Sequence, residues 1–512
     1  MRFQYRWLRG LLSAMLVAFL AAAAFPQGKI GRVEDFWGSL YTSRTAAGVL
    51  SRRGGPRGEN SLARLRYWNE IAVNASGLDH TPVAVGETRV FGEQLGPGRA
   101  ARAIAIVHIA IFDAVNAVEG NFESFSGIPR ETGNTSVDAA IAQAACDTLV
   151  ALFPSQAGSF HALLAADLAQ IANGAAKTKG INLGHRSADA ILEQRFADGS
   201  VHPEPVYGTG YMPKLDAGYW RKDPISLIPV ALGAHWGEVQ PFVLQSTSQF
   251  RVPPPPGMDT PKYAAAYSEA KRLGGDGVTT PTERTQDQTE IGLFWAYDGT
   301  PSLCAPPRLY NQIIMAIAEQ KNSDTMDTAR LLALANTAMA DAGTSSWESK
   351  YYYEIWRPIT GIREADEGTG PNGMGDGNPD TAGDLEFTPL GAPASNLSGP
   401  NFTPPFPAYP SGHAVFGGAL FQTLRNFYHT DHIRFTIVSD ELNGETVDNE
   451  GNTRPLRPRT FRTLSQAEEE NGQSRIYLGI HWSFDKTEGI AQGRKIANYV
   501  FENAFTRERA NR

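Results

Sequence analysis

Cysteine is nearly absent: two residues, Cys146 and Cys304, in a chain of 512. That count excludes a disulfide framework and a four-cysteine zinc site, and allows at most one bridge. Charge is sparse as well. Charged side chains are 20% of the residues, and 54 Asp and Glu outnumber 46 Lys and Arg for a net −8. Such a chain lacks the basic footprint of a nucleic-acid binder, so any anion it holds must sit on a local cluster of cations. Beyond residue 24 no run of consecutive apolar residues is long enough to cross a bilayer. Convincing strand signals are few, and no internal repeat is visible. What the chain has is apolar residues, at 42%, and that excludes disorder throughout. The length allows about three domain-sized units, or fewer if some are large.

The N-terminus reads as a targeting segment. Arg2, Arg6 and Arg9 precede the uncharged stretch Leu11 to Ala24, which ends in a run of alanines. A basic region, a short apolar region and small residues describe a secretory signal peptide over 1–24. The apolar stretch is well short of the ~20 residues of a spanning helix. The expectation is a secreted or periplasmic protein with no stable membrane insertion after cleavage.

The remainder is a succession of helices joined by long loops. Apolar residues at helical spacing predict helices over 61–75, 101–120, 138–153, 159–176 and 182–199, and the second is apolar nearly all round, as a buried helix is. Residues 200–260, rich in Pro, Gly and aromatics, read as a linker or wrapping loop. Helical signals resume at 261–275, 285–298, 307–321 and 327–357, and two more, at 411–428 and 473–503, follow a Gly- and Pro-dense loop over 364–407. A loop that long inside a folded chain is functional or disordered. The expected architecture is all-α, two packed helical bundles: an N-terminal bundle with linker over 25–260 and a catalytic, four-helix-type bundle over 261–512, with the 364–407 loop near the pocket mouth.

Three segments carry chemistry. In KYYYEIWRP, Lys350 and Arg357 are seven apart, which on one helix sets them on one face, with Pro358 ending it. The aromatics around them make that face too apolar for water. In PSGH, Ser411 and Gly412 open a helix beside His413; free N–H groups, the dipole and the hydroxyl make that end suited to an anion. In SRIYLGIHWSFD, His481 and Asp485 are four apart, so the carboxylate can hold one imidazole nitrogen and leave the other free, while Arg475 offers a guanidinium fork. Singly, each segment also describes a solvated face, a capped helix or a simple His–Asp pair. Together they set three cations, several N–H donors and two histidines around what suits a tetrahedral oxyanion, phosphate or vanadate.

The order Lys-x6-Arg-Pro, Pro-Ser-Gly-His, Ser-Arg-x5-His-x3-Asp over 350–485 resembles the signature of the vanadium-dependent haloperoxidase and type-2 phosphatidic acid phosphatase superfamily. FWAYDGTP (294–301) and ARAIAIVHIAIFDAVNA are similar to its all-helical haloperoxidase branch. The resemblance implies vanadate as cofactor, and hydrogen peroxide, halide and small organic acceptors as partners. It makes His481 the vanadium ligand and sets Lys350, Arg357, Arg475, Ser411 and the Gly412 N–H on the vanadate oxygens. It gives His413 the acid–base role, Lys350 the polarisation of bound peroxide, and Asp485 the orientation of His481, with Asp298 positioning His413 or Arg475. Trp347 and Phe406 stand where chloride-oxidising members are similar, and as an apolar wall they favour a weakly hydrated halide; they are equally plausible as core aromatics. Two other readings use the same residues: a secreted acid phosphatase hydrolysing phosphate monoesters through a phosphohistidine at His481, and an oxyanion-binding module without catalysis.

Overall fold

Alanine and glycine on facing helices let backbones approach, and this sets the architecture. The computed structural model describes residues 33–40, 60–392 and 400–508; the signal-peptide segment lies outside them. Among the described residues there are fourteen α-helices and one two-stranded sheet. The first half contributes α1 (Val33–Trp37), α2 (Ser61–Asp79), α3 (Pro97–Glu119), α4 (Val137–Leu152), α5 (Ala157–Leu168) and α6 (Ala175–Arg195). The second contributes α7 (Pro261–Gly274), α8 (Gln286–Phe294), α9 (Pro307–Gln320), α10 (Thr325–Tyr353), α11 (Pro358–Arg363) and α12 (Gly412–Tyr428). After the hairpin β1 (Phe435–Asn443) and β2 (Leu456–Phe461), α13 (Leu464–Tyr477) and α14 (Ser483–Asn503) complete it.

The expected pair of bundles is present. In the first, α3, α4 and α6 pack on one another; in the second, α10, α12, α13 and α14 form the four-helix group. The apolar α3 is long enough to cross a membrane by length and composition, but it is almost wholly buried and packs along α10. One hydrophobic core therefore runs through both halves, from Trp68 and Ile106 to Met339, Phe416 and Leu420. The long segment between α6 and α7 is tied to the centre by Asp341 of α10, whose carboxylate accepts N–H bonds from Phe242, Val243 and Leu244 at 2.6, 2.8 and 3.0 Å.

Several sequence expectations shift. The helix expected over 327–357 stops at Tyr353, where Glu354 turns left-handed at φ 53°. Lys350 and Arg357 are therefore not on one helix: Arg357 is the N-cap of α11, and Pro358 starts that helix rather than ending the previous one. The helix expected over 473–503 is two, broken at 478–482. The segments 159–176 and 182–199 resolve as α5 and a longer α6. The hairpin was not anticipated. Both cysteines are buried and free, and Cys304 Sγ lies 2.8 Å from Ser76 Oγ, so no disulfide forms.

Candidate active site

Three helix ends meet around one cleft. The C-terminal end of α10 brings Trp347 to it, the start of α12 brings Gly412 and His413, and the α13–α14 junction brings Arg475 and His481, while Lys350, Ser411 and Asp485 stand next to these residues outside the lining. The Ser411 N–H donates to the Asp485 carbonyl at 3.1 Å, joining the starts of α12 and α14. The cleft, open to solvent, spans roughly 550 Å³, and His413, Arg475 and His481 line it together with Trp347 and Phe406. Phe402, Pro404 and Pro405 bring the end of the 364–407 loop to its wall, as expected of that loop.

His481 sits before α14, whose N-cap is Trp482, so the His–Asp pair belongs to a capping turn and not to a full helical turn. Its Nδ1 is 2.8 Å from Asp485 Oδ2, which also accepts the Trp482 N–H at 3.0 Å. The carboxylate fixes the proton on Nδ1 and leaves the Nε2 lone pair toward the cleft, 3.4 Å from Arg357 Nη1. Burial holds His481 well below its ordinary pKa, with Arg357, Lys350 and Arg475 adding to the effect, so the ring is neutral. Asp485 is pushed up to about 7 by burial, against the opposing pull of the Trp482 N–H, Lys350 and Arg357.

Arg357 is clamped by backbone. Its Nε donates to the carbonyls of Pro404 and Phe406 at 2.9 and 3.0 Å and Nη1 to that of Ile480 at 2.8 Å. Arg475 donates from Nη2 to Asp298 Oδ1 at 2.5 Å. Asp298 thus positions Arg475, one of the two partners expected for it. At this site four buried donor atoms have no hydrogen-bond partner among the described residues: Arg357 Nη2, Arg475 Nε, Arg475 Nη1 and Ser411 Oγ. Ser411 is the N-cap of α12, yet its hydroxyl makes no capping bond, and the first-turn amides have no acceptor within the helix.

Two expected residues take other partners. His413 Nε2 donates to the Ala296 carbonyl at 2.7 Å, which leaves Nδ1 as the basic nitrogen of a ring held neutral by burial and by Arg475. Lys350 does not line the cleft. Its ammonium donates to the carbonyls of Pro407 and Ala408, both at 2.9 Å, and of Pro410. Burial, with Arg357 beside it, draws Lys350 well below its ordinary pKa. Trp347 and Phe406 pack with ring centroids 4.8 Å apart, and the Trp347 Nε1 donates to the Leu232 carbonyl at 3.1 Å. They are cleft wall and core at once.

Some supporting residues carried no sequence signal. Glu441 and Ser439 of β1 hold the loop after α8: Glu441 Oε1 accepts from Tyr297 N and Thr300 Oγ1, both at 3.1 Å, and Ser439 Oγ donates to the Phe294 carbonyl at 2.7 Å. That loop presents Ala296 O and Asp298. Asn471 Nδ2 donates to the His413 carbonyl at 2.9 Å and so steadies the start of α12. Phe36 of α1 also lines the cleft.

The chain is 31% identical to the vanadium chloroperoxidase of Curvularia inaequalis, over 82% of its own length and 78% of that protein's. The chain belongs to the vanadium-dependent haloperoxidase family. The profile of the VCPO second helical-bundle domain matches residues 330–508 of this family member. Its fold is similar to a bacterial vanadium-dependent iodoperoxidase, with a TM-score of 0.67 at 22% identity over 88% of this chain and 98% of that one. It is also similar to the holo form of a bacterial vanadium-dependent chloroperoxidase, with a TM-score of 0.60 at 17% identity, covering 84% and 95% of the two chains.

Proposed function

We propose that the protein is an exported, vanadate-dependent haloperoxidase that oxidises bromide, and chloride as well, with hydrogen peroxide to hypohalous acid or an equivalent, for transfer to small organic acceptors. The observation that carries this reading is the unprotonated Nε2 of His481, met only by a long 3.4 Å contact from Arg357 Nη1, among four buried donors without partners. A tetrahedral oxyanion satisfies all of them, and its negative charge answers a cluster of three buried cations. Arg357, Arg475, Ser411 and the Gly412 N–H would hold vanadate oxygens, and His481 Nε2 would ligate the metal. Bound there, vanadate supplies a Lewis acid that activates peroxide without changing oxidation state.

The chain's own residues set the rest. Asp485 keeps His481 in the ligating tautomer. His413 takes a proton from incoming peroxide at Nδ1 while its Nε2–H stays on Ala296 O. Lys350 acts as a fixed positive charge behind Gly412, one that a bound anion returns toward full protonation. Trp347 and Phe406 exclude water from the side where halide approaches, and a partly dehydrated chloride is more easily oxidised there.

The same lone pair serves a phosphatase, since a His481 Nε2 attack on a phosphate monoester needs the same donors. The test uses protein stripped of oxyanions: peroxide-dependent halogenation of a dye with chloride and with bromide, with and without vanadate, beside p-nitrophenyl phosphate hydrolysis. Halogenation only with vanadate is expected. Phosphate ester hydrolysis that vanadate inhibits, without halogenation, would replace the reading with the phosphatase. Export is tested by N-terminal sequencing of protein recovered outside the cytoplasm, where cleavage after the Ala22–Ala24 run is expected.

A further inference from the structure

Behind the Trp347 wall lies a second, smaller cleft. It is bounded by Gly98, Arg99 and Trp236 and shares Pro97, Leu232 and Trp347 with the main one. It is the smaller of the two, spanning about 210 Å³ against about 550 Å³ for the main cleft.

Three kinds of N–H group belong to the residues that line it. The 23-residue helix α3 begins at Pro97, so the positive end of its dipole and its first-turn amides face this corner. Trp236 is 2% exposed, and its Nε1–H has no partner among the described residues. A Cβ on Gly98 would stand 2.5 Å from that nitrogen; the glycine lets the indole edge reach the first turn of the helix. Arg99 is 5% exposed and donates from its outer nitrogens to Glu204 and, at 2.9 Å, to the His202 carbonyl, but its Nε–H has no partner. Its guanidinium lies 5.2 Å from the centroid of the Trp236 ring. The nearby carboxylate of Glu204 is already engaged on both oxygens, by Arg99 and by the Gly233 N–H.

We propose that this cleft is a halide site distinct from the oxyanion pocket. One chloride or bromide ion is held there by Trp236 Nε1–H, Arg99 Nε–H and the first-turn amides of α3, one indole ring away from the place of oxidation. Arg99 and Glu204 cancel in formal charge, so the ion meets only the helix dipole and directed N–H groups. That is a weak field, suited to a large monovalent anion that must leave again. The electropositive edge of an indole suits the same ion. The shared rim at Pro97 and Leu232 connects the two clefts, while the bond from Trp347 to Leu232 keeps the wall between them in place. Only the identity of the occupant as the halide substrate rests on the haloperoxidase reading.

The test is bromide-soaked crystals of the full chain, without vanadate or peroxide, measured at the bromine absorption edge. An anomalous peak within hydrogen-bond distance of Trp236 Nε1 is expected, lost in Trp236→Phe, which keeps the ring and removes the donor. Gly98→Ala, whose Cβ must displace the Trp236 indole from the first turn of α3, should lose it too. Water alone at the position, or a peak unchanged in both variants, overturns the site. In turnover, Trp236→Phe should raise the bromide KM about tenfold with the peroxide KM unchanged, the effect of losing one hydrogen bond to an ion. An unchanged bromide KM in a variant that has lost the peak overturns its role in supplying halide. If halogenation itself fails, the crystal measurement still reports on the site.

Discussion

Asp485 shows how one buried carboxylate serves both fold and chemistry. It orients His481 and caps α14, and burial raises its pKa from 3.8 to about 7. A carboxyl raised on folding favours the folded state while both forms are protonated. That contribution is lost as pH rises from about 4 through about 7, where the unfolded chain has released a proton the native state still holds. Asp485→Asn removes this dependence: denaturant titrations of vanadate-free protein should show the wild type falling relative to the variant across that window. The variant should also bind vanadate about tenfold or more weakly, since the amide orients His481 without sharing its charge. Phe406 is the second test. Its ring lies 5.1 Å from Lys350 Nζ and 4.9 Å from Arg357 Cζ, an apolar plate between two cations. Phe406→His hydrates that wall, so chloride kcat/KM should fall more than bromide kcat/KM; equal losses would refute the role. At this scale the sequence was highly legible. Spacing of Ser, His and Arg marked the donors because each reports its own chemistry. It did not mark Lys350's turn toward the Pro407–Pro410 carbonyls, because backbone acceptors have no letter of their own.

The starts of α12 and α14 are held in register by a close crossing. A Cβ on Gly493 would stand 2.1 Å from the Val415 carbonyl, and one on Gly418 would stand 2.6 Å from that of Ile490. Gly493→Ala must push the helices apart, and a cost of about 1–3 kcal/mol in urea unfolding is expected. The same shift moves His481 and Asp485 relative to Ser411, so vanadate affinity should drop although no contacting group has changed. Helix positions were legible because the apolar spacing is long and regular. Helix ends were not: the left-handed Glu354 divides α10 from α11 where the aromatic run continues unbroken. The hairpin escaped for a related reason. β1 carries Ser439, Asp440 and Glu441 turned to the loop after α8 and to neighbouring arginines, and β2 carries Pro458 opposite Val438. Neither strand shows a clean alternation.

Across the whole molecule, the segment between α6 and α7 belongs to the core, not to a flexible connection. Asp341 binds its backbone three times, and Arg251 pairs with Glu348 of the same central helix. The two-bundle plan was readable from the chain, but the continuity of the core through both halves was not. Buried Ala-rich helices do not announce which neighbour they face. The four partnerless donors of the pocket have a consequence for the entire fold. Buried N–H and O–H groups without acceptors lower the stability of the native state by about 1–3 kcal/mol each, and only the folded chain brings them together. Occupancy is therefore coupled to melting. At a vanadate concentration 100 times its dissociation constant, the native state should gain about 2.7 kcal/mol, and calorimetry should show the transition moving upward with vanadate but not with sodium chloride at equal ionic strength. Heat resistance in this protein then becomes a gauge of cofactor loading, readable without peroxide, halide or any turnover.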